Sequence, residues 1–155
     1  MRTFFTINGK RTELSVSPEE TLLHVLRNNG YTEVKNGCEE GECGACMVLL
    51  DGKAVPSCQI LALSVTAKSI TTIRGLDNTE GGKVLQKNFV DSGAVQCGFC
   101  TPGMILSAYS LLKETPRPSE KDIKHALDGN LCRCTGYVKI VEAVKRSAEM
   151  LDGKI

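Results

Sequence analysis

All eight cysteines of this 155-residue chain fall into two sets of four, with spacings that suit metal-bound thiolates. The first set runs Cys38-x4-Cys43-x2-Cys46, with Cys58 after eleven further residues. The second runs Cys97-x2-Cys100, then Cys132-x-Cys134 after a long gap. No thiol is left over. Thiolates are soft ligands that suit zinc and iron–sulfur centres. A loop that carries three ligands in such a short stretch must wrap a compact core and bring its backbone close to sulfur. Gly37, Gly41 and Gly44 stand around the ligands in a way that permits this.

The C-x4-C-x2-C…C order is the spacing of plant-type 2Fe-2S sites, and Cys58 would tie a separate segment to the loop. Zinc is the rival, since it accepts cysteines two to four residues apart, although a glycine-rich three-cysteine loop is less usual for it. Glu39, Glu40 and Glu42 read as solvated loop charges that could also face a partner or lower a potential. The second set is less specific from spacing alone. A cluster, zinc or a redox-active Cys97/Cys100 pair would each fit, and the last would leave Cys132 and Cys134 unexplained. Cys97 to Cys100 sits just before a predicted helix start and Cys132 to Cys134 lies between two later helices. Helix N-termini offer free N–H groups and a positive dipole end to an anionic cluster. Such a helical site is expected to bury its cluster more deeply than the first loop does. Two clusters in one short chain would serve to carry electrons, with the redox chemistry residing in the cofactors. No group reads as a catalytic base: His24 and His125, both on predicted helices, read as surface residues.

The elements that position these thiols change in character along the chain. Phe4–Ile7 and Thr12–Val16 flank Asn8-Gly9, a pair that tolerates the positive φ angles of a two-residue hairpin turn. Ser17-Pro18-Glu19-Glu20 reads as a capped helix start, Leu22, Leu23, Val25 and Leu26 as the buried face of that helix, and Gly30 as its end. A second hairpin turns at Asp51-Gly52, and Ser69–Ile73 is a last short strand. Two hairpins crossed by one helix fit a ferredoxin-like β-grasp sheet. Beyond a linker near residues 75–80, helices take over, spanning Gly82–Val90, a segment with Thr101 as N-cap and Pro102 in its first turn, another opened by a capping box over Ser119–Asp122, and a last one through Val138, Val141, Val144, Ala148 and Leu151. The expected class is α+β: an N-terminal β-grasp domain over residues 1–76, then an all-α four-helix bundle over 77–155.

Hydrophobic residues make up 41% and charged residues 24%, enough for packed cores, and the net charge of +1 without a long basic run argues against nucleic-acid partners. The N-terminal segment lacks the features of a secretory signal, and no apolar run reaches the roughly 18–20 residues of a membrane span. A soluble cytoplasmic protein without membrane association is therefore expected, a setting in which disulfides are rare and paired cysteines point to metal.

The stretch Val95-Gln96-Cys97-Gly98-Phe99-Cys100-Thr101-Pro102-Gly103-Met104, the stretch Gly129-Asn130-Leu131-Cys132-Arg133-Cys134-Thr135-Gly136-Tyr137, and Gly37-Cys38-x4-Cys43-Gly44-Ala45-Cys46 together resemble one known family. The chain is similar, over nearly its whole length, to the small iron–sulfur subunit of the molybdenum hydroxylases, the xanthine dehydrogenase and aldehyde oxidase group. The resemblance implies two 2Fe-2S clusters, one on Cys38, Cys43, Cys46 and Cys58, the other on Cys97, Cys100, Cys132 and Cys134. It further implies a large molybdopterin-binding partner subunit and a medium FAD-binding one. The helical-domain cluster would lie nearest the pterin, with Gln96 and Cys134 against it, and the other would face flavin or an external acceptor. Residues alone would make Gln96 an amide that satisfies nearby backbone. A free-standing two-cluster carrier and a zinc-stabilised interaction module remain the alternatives.

Overall fold

The computed structural model describes residues 1–155. Its N-terminal part is a five-stranded mixed sheet of β1 (Arg2–Ile7), β2 (Lys10–Ser15), β3 (Met47–Leu50), β4 (Lys53–Pro56) and β5 (Ser69–Thr71), in the order β2-β1-β5-β3-β4. Only β1 and β5 run parallel. Both hairpins turn as expected: Asn8 and Gly9 have φ of 51° and 77°, Asp51 and Gly52 have 50° and 86°. Two consecutive positive φ angles give the turn whose twist matches that of the strands. Helix α1 (Leu22–Asn28) crosses one face and buries Leu22, Leu23, Val25 and Leu26 against Phe5, Ile7, Val48 and Ile70. This is a β-grasp.

Helix α1 starts later than its sequence suggests. Thr21 caps it, its Oγ1 accepting from the His24 N–H at 3.3 Å, while Ser17 to Glu20 forms a separate turn. The reason is tertiary. The Ala62 N–H donates to Glu20 and the Leu22 N–H to Ile60, so the chain through Thr21 is held extended against the neighbouring segment and winds only from Leu22. At the far end the Gly30 N–H bonds Arg27 and the Tyr31 N–H bonds Leu26, a Schellman ending with Gly30 at φ 91°.

The C-terminal part comprises α2 (Glu80–Asp91), α3 (Thr101–Glu114), α4 (Glu120–Leu127) and α5 (Val138–Leu151). Their apolar faces meet in a second core that includes Leu85, Phe89, Met104, Leu112, Ile123, Ile140 and Val144. Inside it the Asn88 amide donates to Ser147 Oγ at 3.0 Å, so the buried polar pair is satisfied. Ser119 and Asp122 form the expected capping box of α4. Helix α3 departs from expectation, since its N-cap is Cys100 and Thr101 is already helical. No helix is long and apolar enough to cross a membrane.

The two cores share a wall. Along β3 the residues alternate, with Val48 and Leu50 against the α1 side and Met47 and Leu49 against the helices. The connecting stretch is packed as well: Ser69–Ile73 is strand only to Thr71, and Ile73–Leu76 winds into a helical turn. Asn8 receives the Thr72 N–H at 2.8 Å and donates to Thr72 Oγ1 at 3.0 Å, which ties this turn to the first hairpin.

Candidate iron–sulfur sites

The loop between α1 and β3 reverses its hand repeatedly, with positive φ at Glu39 (58°), Gly41 (81°) and Gly44 (69°). Glycine is required where other atoms press in. A Cβ on Gly37 would stand 2.6 Å from Cys43 Sγ. Within this loop Cys38 meets Cys43, while Cys46 meets Cys58, which the helical turn Ser57–Gln59 delivers from behind. Ser57 clasps the two segments, donating both its N–H (3.2 Å) and its hydroxyl (2.7 Å) to the Cys46 carbonyl.

The second set assembles at one end of the helical bundle. Cys97 and Cys100 precede α3, and Cys132 and Cys134 precede α5. Cys134 Sγ lies 3.7 Å from Cys97 Sγ, and Cys100 meets Cys132. Each set thus gathers as two pairs of thiols. Nowhere do three His, Cys, Asp or Glu side chains converge on a single point as a mononuclear ion requires. Two pairs, each able to hold one iron of a binuclear core, fit a 2Fe-2S cluster better than tetrahedral zinc.

The comparisons with known proteins agree. Residues 5–69 match the 2Fe-2S iron-sulfur cluster binding domain, and residues 72–145 match the 2Fe-2S binding domain. The chain is 46% identical to the nicotinate dehydrogenase small FeS subunit of Eubacterium barkeri, covering 92% of each chain. It is 48% identical to the nicotine 6-hydroxylase small subunit of Paenarthrobacter nicotinovorans, over 89% of this chain and 84% of that one. The crystal structure of quinoline 2-oxidoreductase from Pseudomonas putida 86 superimposes with a TM-score of 0.91 at 43% identity, over 98% of this chain and 96% of the other. The chain belongs to the family of small 2Fe-2S subunits of molybdenum hydroxylases. It is therefore an iron–sulfur subunit of an oxidoreductase complex, and the zinc-module alternative falls away.

In this iron–sulfur subunit the depth of the two sites is the reverse of what the helical context suggests. Cys46 and Cys58 are buried, whereas Cys97 and Cys134 are exposed. The loops at Gly98 (φ 81°) and Gly136 (φ 67°) carry the second set out to the bundle's end, where a pocket of about 420 Å³ opens. Phe99 and Leu131, at 46% and 57% exposure, line it. An apolar surface of this kind marks a place for another protein. Gln96 lies at the same opening and donates its amide to the Cys134 carbonyl at 3.1 Å. The backbone-satisfying amide and the neighbour of Cys134 are one residue.

Within the Cys100/Cys132 pair the proton affinities are set apart. Burial, with Cys132 and Cys97 alongside, pushes Cys100 up to about 12. Burial works the same way on Cys46, which rises to about 11. Cys132 also feels burial, but hydrogen bonds from the Thr135 hydroxyl and N–H outweigh it and bring the thiol down to about 7. Backbone N–H groups, that of Glu40 foremost, lower Cys38 to about 7. His24 and His125 sit on the surface as expected, paired with Glu39 at 3.2 Å and Asp128 at 3.4 Å.

Sequence reasoning missed three residues here. Asn130 has no role of its own in the sequence, yet it is buried between the two sites: its amide donates to the Gly44 carbonyl at 3.2 Å and its Oδ1 accepts from the Ser107 hydroxyl at 2.8 Å. Gln59 and Thr135 each donate a side-chain hydrogen bond to a cysteine sulfur. Each follows a cysteine within three positions, the only sequence signal available.

Proposed function

We propose that this chain relays electrons inside a molybdopterin-dependent hydroxylase, taking them in at Cys97, Cys100, Cys132 and Cys134 and passing them through Cys38, Cys43, Cys46 and Cys58 to flavin or another acceptor. When bound, each 2Fe-2S cluster supplies a one-electron carrier. The protein's share is spacing, insulation and docking. Residues 1–76 form one cluster domain and residues 77–155 the other. The observation that carries the reading is a hydrogen bond: the Leu131 N–H donates to the Cys43 carbonyl at 2.9 Å. It joins a cysteine of the first set to the immediate neighbour of Cys132, so the two sites are linked by backbone rather than by solvent.

The direction of transfer follows from exposure. Cys97 and Cys134 open onto the apolar rim, which suits seating against a large molybdopterin-binding subunit, with Gln96 and Cys134 against the pterin. The Cys38 loop, rich in carboxylates at Glu39, Glu40 and Glu42, lies at the other site and suits a medium FAD-binding subunit. The relatives named for nicotinate, nicotine and quinoline favour an N-heteroaromatic substrate; the large subunit would bind it, and the paired thiols free of disulfides suit a cytoplasmic complex. The test is purification of the native complex followed by addition of an N-heteroaromatic substrate without acceptor. Both clusters should become reduced, and co-purification without large and medium subunits would instead favour a free-standing carrier.

A further inference from the structure

Beyond the cysteines, one side chain at each site donates a hydrogen bond to a cysteine sulfur. At the helical site the Thr135 hydroxyl reaches Cys132 Sγ at 3.1 Å. Its oxygen accepts from the Tyr137 N–H at 3.4 Å, which leaves the hydroxyl hydrogen free to point at sulfur. Tyr137 is itself anchored, since its own hydroxyl oxygen accepts the Cys132 N–H at 2.8 Å. At the loop site the Gln59 amide reaches Cys58 Sγ at 3.4 Å and also donates to the Glu39 carbonyl at 3.1 Å. Room for it comes from Gly41, where a Cβ would stand 2.9 Å from Gln59 Cγ. Both donors are thus held by second contacts rather than left to rotate.

A reduced cluster carries one more negative charge than an oxidised one, and that charge is shared with the cysteine sulfurs. A donor aimed at such a sulfur stabilises the reduced form more than the oxidised form and raises the potential. We propose that Thr135 and Gln59 are the potential-setting residues of this subunit, each acting through one cysteine on its own cluster, and that between them they fix how an electron divides between the two sites. The proposal rests on the two-cluster relay above. Neither residue is a ligand, and each acts by positioning a proton. Removing the donor at one site should therefore push the electron toward the other, so the two substitutions act in opposite directions.

The test uses the holo-complex with Thr135→Val, Thr135→Ser and Gln59→Met, measuring iron per chain and the equilibrium reduction of each cluster by EPR-monitored redox titration. Thr135→Val should shift the distribution about threefold to tenfold toward the Cys38 site, where tenfold corresponds to 59 mV for a one-electron couple. Thr135→Ser, which keeps the hydroxyl, should restore it. Gln59→Met should shift the distribution toward the Cys97 site. Iron-replete Thr135→Val and Gln59→Met proteins with unmoved distributions would overturn the proposal. A wild-type complex without two one-electron clusters would instead overturn the relay itself. Should Thr135→Val lose iron, the wild type decides through exchangeable-proton couplings to the reduced cluster measured in H2O and D2O. A strong coupling that Gln59→Met leaves intact at the Cys97 site supports the proposal, and its absence overturns it.

Discussion

The backbone N–H of Leu131 lies 2.9 Å from the carbonyl oxygen of Cys43, which it bonds across the boundary between the sheet and the helices. Around that bond the two parts interlock. A Cβ on Gly44 would stand 2.3 Å from the Gly129 carbonyl, and one on Gly103 would stand 2.2 Å from the Gly44 carbonyl. Three backbones meet here with no room for side chains, and Asn130 fills the remaining hydrogen-bonding needs. The distance between the two cysteine sets is therefore a packed quantity, one that holds both ends of the relay in fixed relation.

Asn130 is the member of that junction most open to test. Asn130→Ala strands the buried Ser107 hydroxyl and leaves the Gly44 carbonyl with the Met47 N–H at 3.3 Å as its remaining donor, and an unsatisfied buried group costs about 1–3 kcal/mol. A loss of about 2 kcal/mol in unfolding free energy of the holo-subunit is expected, measured by urea denaturation. Asn130→Asp keeps the acceptor for Ser107 but loses the donor to Gly44, and should cost at least as much because a carboxylate would then face a carbonyl.

Gly37→Ala should damage one site and spare the other. The added methyl meets Cys43 Sγ at 2.6 Å, so the loop must shift where two thiols come together. Iron should fall from about four per chain to about two, with the signal of the helical-site cluster retained. Equal loss of both clusters would show that the sites do not assemble independently.

The thiols predict a pH profile for the cluster-free chain. Cys100 and Cys46 have folded values above the ordinary 9.0, so their contribution to stability is complete below pH 9 and is lost as pH rises toward 11–12. Cys38 and Cys132 have folded values near 7, so theirs is present above pH 9 and is lost as pH falls through 7. These four groups together favour the fold most near pH 9, a maximum that denaturation at pH 7, 9 and 11 would reveal. At pH 7 iodoacetamide should label Cys38 and Cys132 ahead of Cys46 and Cys100, read by peptide mass spectrometry.

The apolar rim of the helical site predicts a separation of folding from assembly. Leu131 is 57% exposed and lines that rim, so Leu131→Glu should change the stability of the isolated subunit by about 0.5 kcal/mol or less. Facing a protein partner, the same carboxylate would be desolvated without a counter-charge and should weaken assembly by tenfold or more. Pull-down or sedimentation of wild-type and variant complexes would measure this.

Much of the architecture was legible because its signals are local. Asn8-Gly9 and Asp51-Gly52 dictate their hairpins, and Ser119 with Asp122 dictates the start of α4. The first cysteine set was readable from spacing, since a loop that folds around a core keeps its ligands close in sequence, whereas the second, split between Cys100 and Cys132, needed the family resemblance. What escaped was decided by distant contacts. Thr21 displaces Ser17 as a cap only because residues 60–62 bond to residues 20–22. Asn130 carries no local signal of its role, which exists only because Gly44, eighty-six positions away, is placed against it. The exposure of Cys97 and Cys134 escaped for a similar reason, because a helix start nearby does not say which side of the bundle the loop will leave.

The most direct measurement is EPR of the natively purified complex after brief reduction by substrate, with iron counted per copy of this chain. The expected result is about four irons, two distinct 2Fe-2S signals, and electrons present at both. A single signal, or a second cluster that stays oxidised while the first is reduced, would contradict a relay running from the Cys97 site to the Cys38 site.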